Sequence, residues 1–151
     1  MPNQFQQKFI AASLFTFWSD QFPLAVTTAY PGNRIDTAGL NEWLEITIDG
    51  WSRRPQRSGA PQRIGLSLSV HCFVKQSLDK SRIYELADAV RSTIAQKTVA
   101  LRDYDTSGTP VIGYATLLEP ETRDLTRLDA DSLRHAMQHF VITCAGIAQQ
   151  V

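Results

Sequence analysis

The sequence predicts an α+β fold, with two helices packed on a mostly antiparallel or mixed sheet. Several segments alternate apolar and polar residues, which is the pattern of half-buried strands. Two other segments carry apolar residues at helical spacing. In chain order the elements are α-β-β-β-α-β-β-β, and the short links between consecutive strands favour antiparallel pairing. At 151 residues the chain is expected to form one domain, residues 1–151.

The first helix is predicted from Asn3 to about Asp20. From Phe9 onward the segment is apolar on most sides, so the helix is expected to be covered on more than one face. Pro23 ends the helix, and a strand rich in Val and Thr follows from Leu24 to Tyr30. The apolar run is far shorter than the roughly 20 residues of a membrane span, and no cleavage site follows it, so no membrane association is expected.

Two alternating strands lie between Trp43 and Val74. The first places Leu44, Ile46 and Ile48 on one face. The second carries a longer apolar face of six residues: Ile64, Leu66, Leu68, Val70, Cys72 and Val74. Cys72 and the other cysteine, Cys144, are predicted to be buried and unpaired, as in a reducing compartment.

The connector between these strands, Ser52 to Arg63, is called the arginine arm here. It is too long for a tight hairpin and contains no acidic residue. Its arginines are Arg53, Arg54, Arg57 and Arg63. We expect the arm to contact a partner. Trp51, at its base, is predicted to lie on the face opposite Ile46 and Ile48. It is expected to anchor the arm, with an interface hot spot as the alternative.

The second half of the chain begins with a predicted helix, about Ser81 to Gln96. Its apolar stripe is Ile83, Leu86, Ala87, Val90 and Ile94. A hairpin follows, with strands Thr98–Tyr104 and Val111–Leu118, and then an acidic loop. The closing strand is expected from about Gln138 within Arg134–Ala145. A capped helix beginning at Asp131-Ser132 is the open alternative for the start of this segment.

The formal net charge is zero, so the whole chain is not an obvious polyanion binder. The charges are nevertheless segregated. No Asp or Glu occurs between Gly50 and Leu78, whereas acids dominate from Asp103 to Asp131. Opposite patches suit head-to-tail contact between copies, although two solvated loops that never meet are the alternative. The acids proposed for such a contact are Asp103, Asp105, Glu119, Glu121 and Asp124.

Motifs for catalysis or cofactor binding are not recognisable. Asp103 to Gly108 is similar to the start of a calcium loop, but the twelfth position holds Tyr114 instead of Glu, so a β-turn is favoured. His135 and His139 are four apart, yet the intervening Ala136 replaces the Glu of a metalloprotease. His71 and Cys72 are strand neighbours that point to opposite faces. No phosphate-binding glycine loop follows a strand. We therefore expect no enzyme activity, metal or cofactor.

The order and several local sequences resemble the tail terminator proteins of long-tailed, siphovirus-like bacteriophages, the family that includes the protein capping the lambda tail. The resemblance is carried by the strand Leu66–Val74, the following helix Ile83–Arg91, a two-strand excursion and the closing strand His139–Thr143. The N-terminal helix and the strand Leu24–Tyr30 also fit this layout. The likeness covers most of the chain and depends on order and patterning.

The resemblance implies a structural virion protein, made in the host cytoplasm, that forms a ring of six copies on the tail tube. Such a ring stops tube polymerisation and presents a surface to head-completion and neck proteins. Genomic DNA passes through the lumen without specific binding. The arginine arm and Trp51 would face the lumen or contact a neck or tube protein. A protein contact is favoured because strong phosphate binding would hinder genome passage.

Two alternatives to a tail terminator remain. One is another neck component, such as a head-tail adaptor. The other is a small enzyme or nucleic-acid-binding module that uses the arm.

Overall fold

The sheet is built around one long strand near the C-terminus. The computed structural model describes residues 5–53, 57–75, 79–126 and 137–151. The predicted class and element order are confirmed, with one further short strand, β6. The elements are α1 (Gln7–Gln21), β1 (Thr28–Ala29), β2 (Glu42–Arg53), β3 (Arg63–Lys75), α2 (Ser81–Ile94), β4 (Thr98–Arg102), β5 (Val111–Leu117), β6 (Glu121–Asp124) and β7 (Met137–Gln150).

The strand order is β1-β2-β3-β7-β5-β4, and β6 also pairs with β7. Among the described strands, β1 and β2 are the one parallel pair, so the strongly curled sheet is mixed but mostly antiparallel. β3 pairs with β7 along its whole length. On the other side of β7, β6 pairs with the first half and β5 with the second half. β7 therefore links the two halves of the sheet.

The core lies between the helices and one face of this sheet. α1 packs against β4, and α2 packs against β3 and β7. Leu44 and Ile46 of β2 are fully buried, as predicted. The six predicted core residues of β3 are buried too, from Ile64 to Val74. Period-two alternation therefore identified the covered face of both strands correctly.

The N-terminal elements are shorter than predicted. Phe5 and Gln6 precede α1, and Asn3 lies outside the described residues. The strand expected from Leu24 to Tyr30 is reduced to Thr28–Ala29. One reason is local: the Val26 amide donates to the Leu24 carbonyl oxygen at 2.9 Å, so that amide is not available to a neighbouring strand.

A β-bulge near the end of β2 changes the predicted orientation of Trp51. Asp49 lies opposite Ser67, but Ser52 lies opposite Gly65, so two residues of β2 face one residue of β3. Gly50, one of the two, has φ +64, which glycine adopts without strain. The extra residue places Trp51 against the core cluster. The prediction of the opposite face is wrong, because it assumed unbroken alternation.

In the second half of the chain, the structure differs from the prediction mainly in where the strands begin and end. α2 begins at Ser81 as predicted and ends at Ile94. β7 starts at Met137 and continues to Gln150, beyond the predicted end at Ala145. The alternative helix beginning at Asp131-Ser132 lies outside the described residues. Neither α1 nor α2 has the length and apolar character that crossing a membrane would require.

Candidate interaction surface

The base of the arginine arm is fixed to the end of the sheet. Arg53 ends β2 and Arg63 begins β3, so the connector proper is shorter than predicted. The Ala60 amide donates to the Arg57 carbonyl oxygen at 3.1 Å, which closes a turn containing Gly59. The Gln150 amide of β7 donates to the Gln62 carbonyl oxygen at 2.9 Å. These bonds give the arm a defined base although its residues are exposed.

Three arginine side chains of the arm line a shared concavity. Arg53, Arg57 and Arg63 border a cavity of about 350 Å³. Along the described ranges of the chain, no ion pair involves any of these three. Arg54 lies outside the described residues. Guanidinium groups without a local acid favour carboxylates or phosphates as partners, because both offer two oxygens in one plane. The structure thus brings together three of the four predicted arm arginines.

Asp103 organises the turn between β4 and β5. Its carboxylate accepts hydrogen bonds from the Asp105 amide at 2.9 Å and from the Thr106 hydroxyl at 2.8 Å. Asp103 is only 3% exposed. The β-turn interpretation of this segment is confirmed. Because both oxygens of Asp103 serve the turn, this acid has little surface to offer another protein.

Three other predicted acids have basic partners in the same chain. Asp105 pairs with Lys8 of α1, and Glu119 pairs with Arg91 of α2. Asp124 of β6 accepts from Lys80 at 2.7 Å. Burial raises the pKa of Asp124, but hydrogen bonds from Lys80 and Thr126 outweigh it and lower the pKa to about 2. Glu121 is exposed on β6. The acidic flank is therefore more neutralised than the sequence indicated, and its role in a ring contact stays a prediction.

The arm and the Asp103 turn lie at the same end of the sheet. Near the end of β7, Gln149 is paired with Arg63 of β3 and Gln150 with Gly113 of β5. Three strand spacings separate β3 from β4, or about 14 Å along the sheet. The acids of β6 lie further back, because Asp124 is paired with Phe140. Both signs of charge thus occur at one end of the sheet.

The sheet has open edges on both flanks. β1 pairs only with Leu44 and Glu45, and beyond Glu45 no described strand pairs with the outer side of β2. On the other flank, no strand among the described residues covers the outer sides of β4 and β6. Open edges present unpaired backbone groups to a neighbouring chain. The flank formed by β2 and the flank formed by β4 and β6 consist of different residues, so they offer two different surfaces.

Sequence reasoning missed a cluster of rings on the face away from the helices. Trp43 stacks on Phe73 at 5.0 Å between ring centroids, and Phe73 stacks on His139 at 4.3 Å. His71 Nδ1 and His139 Nε2 are 2.8 Å apart and share a hydrogen bond. The available signal was that all four residues fall on the outward face of predicted strands. His135, the predicted neighbour of His139, lies outside the described residues.

Other chemistry at the candidate residues is limited. Cys72 and Cys144 are buried and unpaired, as predicted, and burial raises the pKa of Cys72 to about 12. Burial also raises the pKa of Cys144. Within the described part of the chain, no group of three or more His, Cys, Asp or Glu side chains could hold a metal ion.

The comparisons with known proteins show the fold. No family model matches this chain. No curated protein matches it. A solved structure of a protein identified only by a sequence number has a TM-score of 0.59 to this chain at 12% identity, with 97% of each chain covered. At this identity the match supports a shared fold across nearly the full length of both chains.

Proposed function

We propose that this protein is a tail-terminator-like structural protein of a long-tailed bacteriophage. Copies would associate side by side into a ring, of six by the resemblance, that caps the tail tube and stops its growth. The same ring would provide the surface to which head-completion and neck proteins attach. Genomic DNA would pass through its lumen without sequence-specific contacts.

The observation that carries the proposal is the difference between the two flanks of the open sheet. A ring closed by head-to-tail contacts needs two different, complementary surfaces on each protomer. Among the described strands, one flank has the side of β2 that is unpaired beyond Glu45 and the arm beside it, and the other has the unpaired sides of β4 and β6. Backbone pairing between such edges would supply regular hydrogen bonds, and the side chains would select the partner.

The arm is proposed to grip a neighbouring tube or neck protein. Its three described arginines line one concavity without an acidic partner in the described residues, so a carboxylate-bearing surface would be bound by charge-assisted hydrogen bonds. The arm cavity contains no aromatic side chain among its lining residues. Since base stacking is a main source of affinity for single-stranded nucleic acid, a protein contact is favoured there.

The test has two parts. Mass photometry of the purified chain, alone and with assembled tail tubes, should reveal a species near six times 16.9 kDa. Immunogold labelling of virions should place the chain where the tail meets the head. A chain that stays monomeric in the presence of tubes and is absent from virions contradicts the proposal. A ring located on the head portal side instead would assign a head-tail adaptor. Salt-dependent retardation of DNA by the monomer would favour a nucleic-acid-binding module.

A further inference from the structure

The histidine pair, His71 of β3 and His139 of β7, lies on the sheet face that the helices do not cover. The two residues are 68 positions apart in sequence, yet their ring nitrogens are 2.8 Å apart. A hydrogen bond at this distance needs one N–H and one lone pair. The hydrogen bond can therefore form between two neutral rings, or between one imidazolium and one neutral ring. It cannot form between two imidazolium rings.

The backbone of His139 is joined to the segment that follows β6. The Leu125 amide donates to the His139 carbonyl oxygen at 2.8 Å, and the His139 amide donates to the Thr126 hydroxyl at 3.0 Å. The His139 ring also stacks on Phe73 of β3, and the Phe73 ring stacks on Trp43 of β2. His139 thus carries both sets of contacts, with its ring against His71 and Phe73 of β3 and its backbone bonded to Leu125 and Thr126.

We propose that the histidine pair is a proton-sensitive latch that holds the start of β7 to β3 and to the Leu125–Thr126 segment. At neutral pH the shared hydrogen bond keeps the latch closed. When both rings become protonated, each has only N–H groups to present, and two positive charges lie in contact. The rings then separate, and the Leu125–Thr126 segment is released from its hydrogen bonds to β7. This device is independent of ring formation.

The charged groups around the pair do not cancel this repulsion. Glu45 of β2 lies opposite His71, and its carboxylate accepts from the Trp43 indole at 3.2 Å. Asp124 of β6 is bound to Lys80. Lys75 of β3 lies over the Trp43 ring, and Arg123 of β6 lies opposite Val141 of β7. Two acids thus lie on the strands beside the pair, together with two basic side chains that form no ion pair within the described residues.

The direction of the His139 pKa agrees with the geometry. Burial, and then the charge of His71, lower the pKa of His139 below its ordinary 6.5, although Glu45 and Asp124 act in the opposite direction. A histidine with a lowered pKa in the folded state contributes stability that is complete above pH 6.5. That contribution is lost as the pH falls below 6.5 and through the folded-state value. Release is therefore expected on mild acidification.

The experiment is amide hydrogen exchange at Leu125 and His139 between pH 7.5 and pH 5, corrected for the intrinsic rate. In the wild type, protection of both amides should fall on the order of tenfold, since two like charges in contact repel strongly in a half-buried site. The double variant H71Q/H139Q retains polar side chains that do not titrate, so its protection should not change. H135Q removes the remaining histidine and should behave like the wild type. Parallel pH profiles for the wild type and the double variant would overturn the proposal.

A second measurement covers the case in which the double variant does not fold. Imidazole ¹⁵N chemical shifts of the wild type report each ring's protonation directly. Protonation of one ring should oppose protonation of the other, so the two rings should take up protons in separate steps, with the pKa of His139 below its ordinary 6.5. Two independent titrations near pH 6.5 for His71 and His139 would overturn the latch regardless of the variant.

Discussion

Arg82 of α2 holds Glu42 of β2 through two parallel hydrogen bonds. Arg82 Nε is 2.8 Å from Glu42 Oε2, and Arg82 Nη2 is 2.6 Å from Glu42 Oε1. Glu85 lies within 3.1 Å of Arg82 Nη1 as well. The pair joins the first turn of α2 to the start of β2, two elements that are 40 residues apart. The fork geometry is specific to a guanidinium group.

Replacing this fork should cost a modest amount of stability. We expect Arg82→Lys to lower the free energy of unfolding by up to about 1 kcal/mol, because Arg82 is 38% exposed and solvent screens the pair. Urea denaturation measures the change. A double-mutant cycle with Glu42→Gln isolates the coupling, and a coupling energy near zero would show that the two hydrogen bonds contribute nothing in solution.

Acid should destabilise the fold through Glu42 and Asp124. The hydrogen bond from Arg82 lowers the pKa of Glu42, and the pKa of Asp124 is lowered to about 2. Carboxylates with lowered folded-state pKa values contribute stability above their ordinary values of 4.5 and 3.8, and that contribution is lost as the pH falls below them. Thermal unfolding from pH 6 to pH 2 should therefore be less pH-dependent in Glu42→Gln and Asp124→Asn. An unchanged slope in both variants would contradict this assignment.

Gly113 of β5 should not tolerate a side chain. A Cβ atom there would lie 2.3 Å from the Gln149 carbonyl oxygen and 2.8 Å from the Phe5 ring. Because the first obstacle is backbone of the neighbouring strand, Gly113→Ala should cost about 3 kcal/mol by differential scanning calorimetry. Gly39→Ala is the matched control, since nothing lies within 4 Å of a Cβ atom there. Equal melting temperatures for the two variants would show that the β5–β7 contact is looser than described.

The cysteines should be unreactive in the folded protein. Cys72 is fully buried, and its pKa of about 12 leaves almost no thiolate at pH 8. A chromogenic disulfide reagent at pH 8 should therefore label native protein only as fast as it unfolds, and both thiols should react promptly in guanidinium. The variant Cys72→Ala reports Cys144 alone. Stoichiometric labelling of Cys72 within the mixing time would contradict its burial.

Reversing the arm charges should affect assembly and leave folding intact. The variant Arg53→Glu/Arg54→Glu/Arg57→Glu changes exposed or undescribed positions, so its unfolding midpoint should stay within a few degrees of wild type. Tail-to-head joining in a complementation assay should fail, because the arm would repel an acidic partner. A control that places two charge reversals outside the arm is Arg34→Glu/Lys97→Glu, whose side chains are exposed and lie outside β4 and β6. Normal assembly with the arm variant would reject the proposed contact.

Local periodicity accounts for the part of the fold that the sequence predicts well. The covered faces of β2 and β3 and the apolar stripe of α2 were predicted correctly because burial follows the repeat of each element. β6 was missed since all four of its residues are exposed, which removes the apolar alternation. Trp51 was assigned to the wrong face because Gly50 introduces a bulge that no alternating pattern reveals.

For the candidate surface too, some features could be predicted from the sequence and others could not. The arginine arm is evident from sequence, because its composition is local and contains no acid. The pairing of the predicted acids is not evident from sequence, since Lys8 is 97 positions from Asp105 and Arg91 is 28 positions from Glu119. Charge counting along the chain cannot find such partners.

The sequence by itself determined the α+β class, the order of the elements, the buried faces of the central strands and a basic arm, because each depends on neighbouring residues. The tertiary structure alone decided which side chains meet: His71 with His139, Arg82 with Glu42, and the acids with their basic partners. The physical reason is strand register, which brings distant residues into contact and is fixed only when the whole sheet closes over its core.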